Sequence, residues 1–181
     1  LNDNGGAVGF NHSLNPPLNG MKGTFLEGGV RVPMLARWPG VWDAGSQYDE
    51  PVSSLDVLPT FLAAAEVSVP SGLDGVALAP YLASAREGRP HETLFWKLDT
   101  HAAIRHGDWK LVRVREVDDT FRAPLLVNLA DDPGELVDRA GDEPERVLRM
   151  QAVLEGWEAG LSEPRWQEGK VWQNNQRKKH E

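Results

Sequence analysis

Between residues 144 and 161, apolar side chains return every three or four positions, at Val147, Met150, Leu154, Trp157 and Leu161, the period of a helix with one face to bury. That stripe needs a partner surface. The preceding sequence supplies short strand-like runs at 93–98, 102–105, 109–114 and 125–129, with Gly107-Asp108 reading as a tight hairpin turn. Asp142 and Pro144 mark the helix start, where a proline removes no hydrogen bond because first-turn amides have no intrahelical acceptor. Residues 89–165 are therefore expected to form a small antiparallel sheet with one helix packed on it. Trp96 and Trp109 read as core of that subdomain, Asp131-Asp132 as a turn, and 166–181, ending Arg177-Lys178-Lys179-His180, as a solvated polar tail.

The first 88 residues follow another pattern. Residues 1–29 are glycine-rich, contain Pro16-Pro17 and lack apolar periodicity, so they read as a long loop laid over something else. From Val30 to Trp38 apolar residues alternate, the period of a strand stopped by Pro39-Gly40; Pro33 restricts it to a strand start or an edge. Ser53-Ser54-Leu55-Asp56 reads as a capped start for a helix through Ala65, with Pro59 in its first turn. Residues 69–75 are turn-rich, and 78–85 suggest a second short helix.

With 27 acidic against 19 basic residues in 181, the net charge of −8 disfavours a general nucleic-acid binder, so any anion must be captured locally. There is no cysteine, which excludes disulfides, thiolate metal sites and a cysteine nucleophile within the chain. No apolar stretch approaches the roughly 20 residues that span a bilayer, so no membrane partner is expected, and Leu1 does not open a signal-like segment.

Chemistry-bearing residues concentrate near the beginning. Asp3 and Asn4 place a carboxylate beside an amide oxygen before Gly5-Gly6, a pair suited to a hard cation and equally to an ordinary turn. Calcium takes about six to eight oxygens, so these two would form only part of a shell. Lys22 lies between Gly20 and Gly23, where small neighbours let an ammonium approach a ligand oxygen. Glu27 and Arg31, opposite in sign and four residues apart, read as a supporting ion pair, and His12 sits in the loop between the oxygen pair and Lys22.

In order and spacing, Asp-Asn-Gly-Gly (3–6), Pro17-Leu18, Met-Lys-Gly-Thr (21–24), Glu-Gly-Gly-Val-Arg-Val-Pro (27–33) and Arg-Trp-Pro-Gly (37–40) resemble the sulfatases. Pro51 to Thr60, Leu73-Asp74-Gly75-Val76, Ile104 to Leu111 and Asn128 to Glu135 are similar to that family's later landmarks. The resemblance covers residues 1 to about 160 and is to the C-terminal portion of formylglycine-dependent arylsulfatases, in the alkaline-phosphatase-like superfamily. It implies an α/β fold in which 1–88 complete the large catalytic domain and 89–165 form the small subdomain. It further implies that Asp3 and Asn4 ligate a divalent cation, usually Ca2+, and that Lys22 is a catalytic residue binding the sulfate group; His12, from its place in the loop between them, is expected to line the substrate cleft. The implied substrate is a sulfated small molecule or glycan, and the implied location periplasmic or secreted.

The sequence departs from the family in lacking a Cys/Ser-x-Pro-x-Arg run, whose side chain becomes formylglycine; Ser162-Glu163-Pro164-Arg165 has one residue too few between proline and arginine. Formylglycine and the rest of the metal shell are expected in an N-terminal portion, which becomes the implied partner, and the chain alone is expected to be inactive. Two other readings stay open: a phosphonate or phosphodiester hydrolase of the same superfamily, and a non-catalytic binding module.

Overall fold

The structure is a computed structural model that describes residues 1–8, 12–83, 87–166 and 168–180. In chain order its elements are α1 (Glu27–Val30), a 3₁₀ turn (Ser54–Asp56) leading into α2 (Val57–Ala64), α3 (Ala79–Leu82), β1 (Thr93–Lys97), β2 (His101–His106), β3 (Trp109–Val114), β4 (Leu125–Asn128), α4 (Pro144–Ala159) and α5 (Lys170–Lys178). They divide into two compact units, Leu1–Met34 with Thr93–Glu181, and Leu35–Glu92.

In the first unit the four strands form one antiparallel sheet in the order β1-β2-β3-β4. The β2–β3 hairpin turns at Gly107-Asp108, where Gly107 adopts a left-handed φ of 59° and His106 pairs with Trp109. Alternation across the pleat then sends Ala102, Ile104, Leu111 and Leu126 to one face, where Met150 and Leu154 of α4 meet them. Phe95 stacks on Trp157 with ring centroids 4.8 Å apart. Each fully buried aliphatic side chain here contributes about 2 kcal/mol. Arg113 adds polar pins, bonding Glu155 and Glu158 of α4.

The other sheet face is covered too. Ala103 and Val112 pack against Phe25 and Leu26, with Val30, Trp96 and Leu125 at the margin, so the glycine-rich N-terminal segment forms the third layer. Trp96 and Trp109 are half-buried and border different layers, Trp109 beneath the Arg146 guanidinium at 4.2 Å.

Two expected features differ. Residues 30–38 form no strand: α1 ends at Val30 and the segment runs on without a ladder. Alternation alone cannot hold a strand that lacks a hydrogen-bonding neighbour, and Pro33 withholds a donor. The tail expected to be solvated contains α5, with Gln176 and Arg177 buried. Arg177 donates from Nε to Arg115 O at 2.6 Å and from Nη1 to Asn174 Oδ1 at 3.0 Å, so polar bonds rather than an apolar stripe hold this helix.

The second unit is organised by Asp56, which is fully buried. Ser53 and Asp56 form a reciprocal capping box, with Ser53 N donating to Asp56 Oδ2 at 2.7 Å and Leu55 N donating to Ser53 Oγ at 3.2 Å. Asp56 Oδ1 also accepts from Val76 N at 2.8 Å and lies 2.7 Å from His91 Nε2, and Thr60 ties α2 to Leu78. The second helix expected over 78–85 is α3; residues 84–86 lie outside the described residues.

Candidate functional site

The glycine-rich segment is a woven loop. Asn15 is its clamp: its Oδ1 accepts from Gly6 N at 2.9 Å, and its Nδ2 donates to Gly20 O at 2.9 Å and Gly6 O at 3.3 Å. Lys22 N donates to Gly6 O at 3.0 Å, and Gly5 N to Gly29 O at 2.9 Å. The chain after Asp3-Asn4 is thereby fastened to the Lys22 turn on one side and to α1 on the other. Gly5 fits because a Cβ there would strike the Gly28 carbonyl. Asn4 thus stands two residues before the glycine whose carbonyl accepts from Lys22 N.

Asp3 and Lys22 are exposed and Asn4 half-buried. Asn4 Nδ2 faces Asp3 Oδ1 at 3.2 Å and Gly5 O at 3.3 Å, which turns its amide oxygen the other way. As a donor set for a divalent cation these oxygens fit in kind and fall short in number. Among the described residues, no group of three or more His, Asp or Glu side chains is placed to hold a metal ion. His12 is exposed with a left-handed φ of 57°, and among the described residues no hydrogen bond joins it to Asp3, Asn4 or Lys22.

Glu27 has a deeper role than the expected pairing with Arg31. Arg31 Nη1 approaches Glu27 Oε2 only to 3.9 Å, whereas Lys110 Nζ lies 2.8 Å from Glu27 Oε1 and 3.0 Å from Glu135 Oε1. Lys110 is 0% exposed, Glu27 2% and Glu135 3%, so a Glu–Lys–Glu triad is sealed between sheet and loop. Glu27 N also donates to Glu135 Oε2 at 2.5 Å. Burial pushes the Glu135 carboxyl above its ordinary range, and the Lys110 ammonium pulls it partly back. Lys110 comes from β3 and Glu135 from the loop after β4, so the triad fixes α1, and through Gly28 and Gly29 the site loop, to the sheet. Local patterns do not reveal it, because the partners lie 83 and 108 residues apart.

The helix α5 closes the far side. Lys179 Nζ donates to Lys22 O at 2.9 Å. Gly23 has φ +87°, and a Cβ there would meet Gln176 Oε1 at 2.6 Å and Lys179 Nζ at 2.7 Å. Behind this contact the His101 and His180 rings lie 4.5 Å apart, and Phe25 lies 4.4 Å from His101. Burial first, then the mutual proximity of the rings, pushes His101 down to about 3. Burial followed by Arg122 holds His180 at about 4, so both are neutral at pH 7.

Residues 21–159 match the family described as N-sulphoglucosamine sulphohydrolase, C-terminal, and the chain belongs to that sulfatase family. It is 34% identical over 160 residues to arylsulfatase A of Bos taurus, covering 74% of this chain and 31% of that protein. To a sulfatase of Formosa agariphila it is 29% identical over 175 residues, covering 86% of this chain and 31% of that protein. The crystal structure of Ps i-CgsB in complex with k-i-k-neocarrahexaose superposes with a TM-score of 0.79 at 31% identity, covering 98% of this chain and 40% of that one. The chain thus spans less than a third of the length of these two curated relatives.

Proposed function

We propose that this chain is the C-terminal part of an enzyme hydrolysing sulfate esters, in which Asp3 and Asn4 contribute two oxygens to a calcium site and Lys22 binds the sulfate group. The observation that carries this reading is the Lys22 N to Gly6 O bond, which fastens the ammonium-bearing turn to the segment carrying the oxygen pair. A divalent cation at Asp3-Asn4 would neutralise charge growing on the sulfuryl oxygens. Lys22 would hold the same oxyanion from another side, and removing one such contact lowers rates by about 10²- to 10³-fold.

A sulfated sugar or glycan is the favoured substrate class, supported by the sulphoglucosamine description of the matched family and by the k-i-k-neocarrahexaose in the Ps i-CgsB crystal. The nucleophile and the remaining metal ligands are assigned to the portion that the longer relatives carry. The exposed apolar side chains of Leu55, Leu58 and Phe61 support a chain that docks against more protein over a closed, free-standing binding module. The test is an aryl sulfate assay on the chain alone and on the chain joined to a sulfatase N-terminal portion containing the formylglycine. Activity is expected only in the joined form; turnover by the chain alone would refute the assignment.

A further inference from the structure

We infer that Lys179 is a second substrate-binding cation, paired with Lys22 across the α5 contact, and that together they recognise a substrate carrying another anionic group beside the sulfate to be cleaved. The inference rests on the proposed role of Lys22 and adds the helix that sequence patterns leave as tail.

Four observations carry it. First, the Lys179 ammonium is held in place, donating to Lys22 O at 2.9 Å while two of its protons stay available. Second, the contact is built into the backbone, since only glycine at position 23 admits both the φ of +87° and the approach of Gln176 and Lys179. Third, the two ammonium groups sit near enough that Lys22, after burial, lowers the Lys179 pKa. Among the described residues no carboxylate is ion-paired with either. In a chain of net charge −8 with many surface ion pairs, two cations that have no counter-charge among the described residues form a local positive pole that an anion would relieve. Fourth, α5 is anchored for the purpose by buried Arg177, bonded to Arg115 O, and by Arg122 Nη1 donating to His180 O at 3.2 Å. A cation on an anchored helix loses little further side-chain freedom on binding, which favours affinity.

The second anionic group can be a sulfate or a carboxylate, and the two are separated by probe choice. The 181-residue chain and its Lys22→Gln, Lys179→Gln and Lys179→Arg variants are titrated at low, fixed ionic strength with benzenesulfonate, 1,3-benzenedisulfonate and 3-sulfobenzoate, following the amide signals of Lys22 and Gly23. Lys179→Gln is expected to weaken the doubly charged probes about fivefold or more while leaving benzenesulfonate within twofold, and Lys179→Arg to retain them. The tighter doubly charged probe identifies the second group. If Lys179→Gln weakens no probe, or all equally, while Lys22→Gln weakens benzenesulfonate, the inference falls and the proposed function stands. If the wild-type chain binds none of the probes, the inference falls; if it binds benzenesulfonate and Lys22→Gln leaves that binding unchanged, the proposed role of Lys22 falls with it.

Discussion

Lys110 is the residue on which the site loop depends most. It is a fully buried ammonium flanked by two carboxylates, and removing one partner of a buried ionic cluster leaves uncompensated charge in a low-dielectric interior. Lys110→Met is expected to destabilise the chain by about 3–5 kcal/mol in urea unfolding. Glu135→Gln should cost less, below about 2 kcal/mol, because the Lys110–Glu27 pair survives and the amide oxygen can still accept from Glu27 N. The raised Glu135 pKa gives the sign with pH: its contribution is fully present below the unfolded carboxyl value and is lost as pH rises through the folded value. Glu135→Gln should therefore flatten the stability profile above the unfolded carboxyl value. An unchanged profile, or equal damage from both substitutions, would contradict the triad.

At the scale of elements, α5 is the part whose attachment responds to conditions. His101 faces the Thr100 hydroxyl, the Phe25 ring, His180 and Lys179; His180 faces Arg122, Lys110 and Lys179. Both folded values lie below the ordinary imidazole value of 6.5, so the neutral rings contribute stability above that pH and lose it as pH falls toward 4. The loss at His101 alone is about 2 kcal/mol at pH 5. Protection factors of the α5 amides, corrected for intrinsic exchange, should fall between pH 6.5 and 4 before those of the sheet; equal protection at pH 7 and 4.5 would contradict this. Gly23→Ala combines left-handed strain of about 1–2 kcal/mol with a clash against Gln176, and should loosen α5 and lower the melting temperature. The sheet and α4 were legible in the sequence because their signals are local: a period of two, a Gly-Asp turn, a period near four. The apparent strand at 30–38 misled because alternation says nothing about whether a neighbour exists. The helix α5 was missed because it docks through Gln176, Arg177 and Lys179, residues that a hydrophobic pattern counts as solvent-facing.

At the scale of the whole molecule, the sequence carried the motif run of the site, whereas the fastening of that run by Asn15 and the buried triad emerged only with the fold. Leu55, Leu58 and Phe61 are exposed on one unit, and on the other Asp3 and Asn4 offer only two oxygens to the proposed cation. Calorimetric titration of the isolated chain should accordingly find calcium binding no tighter than about millimolar, since two ligands leave most of the shell to water. The most direct test of the account compares kcat/KM for an aryl sulfate between the joined enzyme and its Lys22→Ala variant. Lys22→Ala should lose about 10²- to 10³-fold with the fold retained; a variant within twofold of wild type would contradict the role given to Lys22.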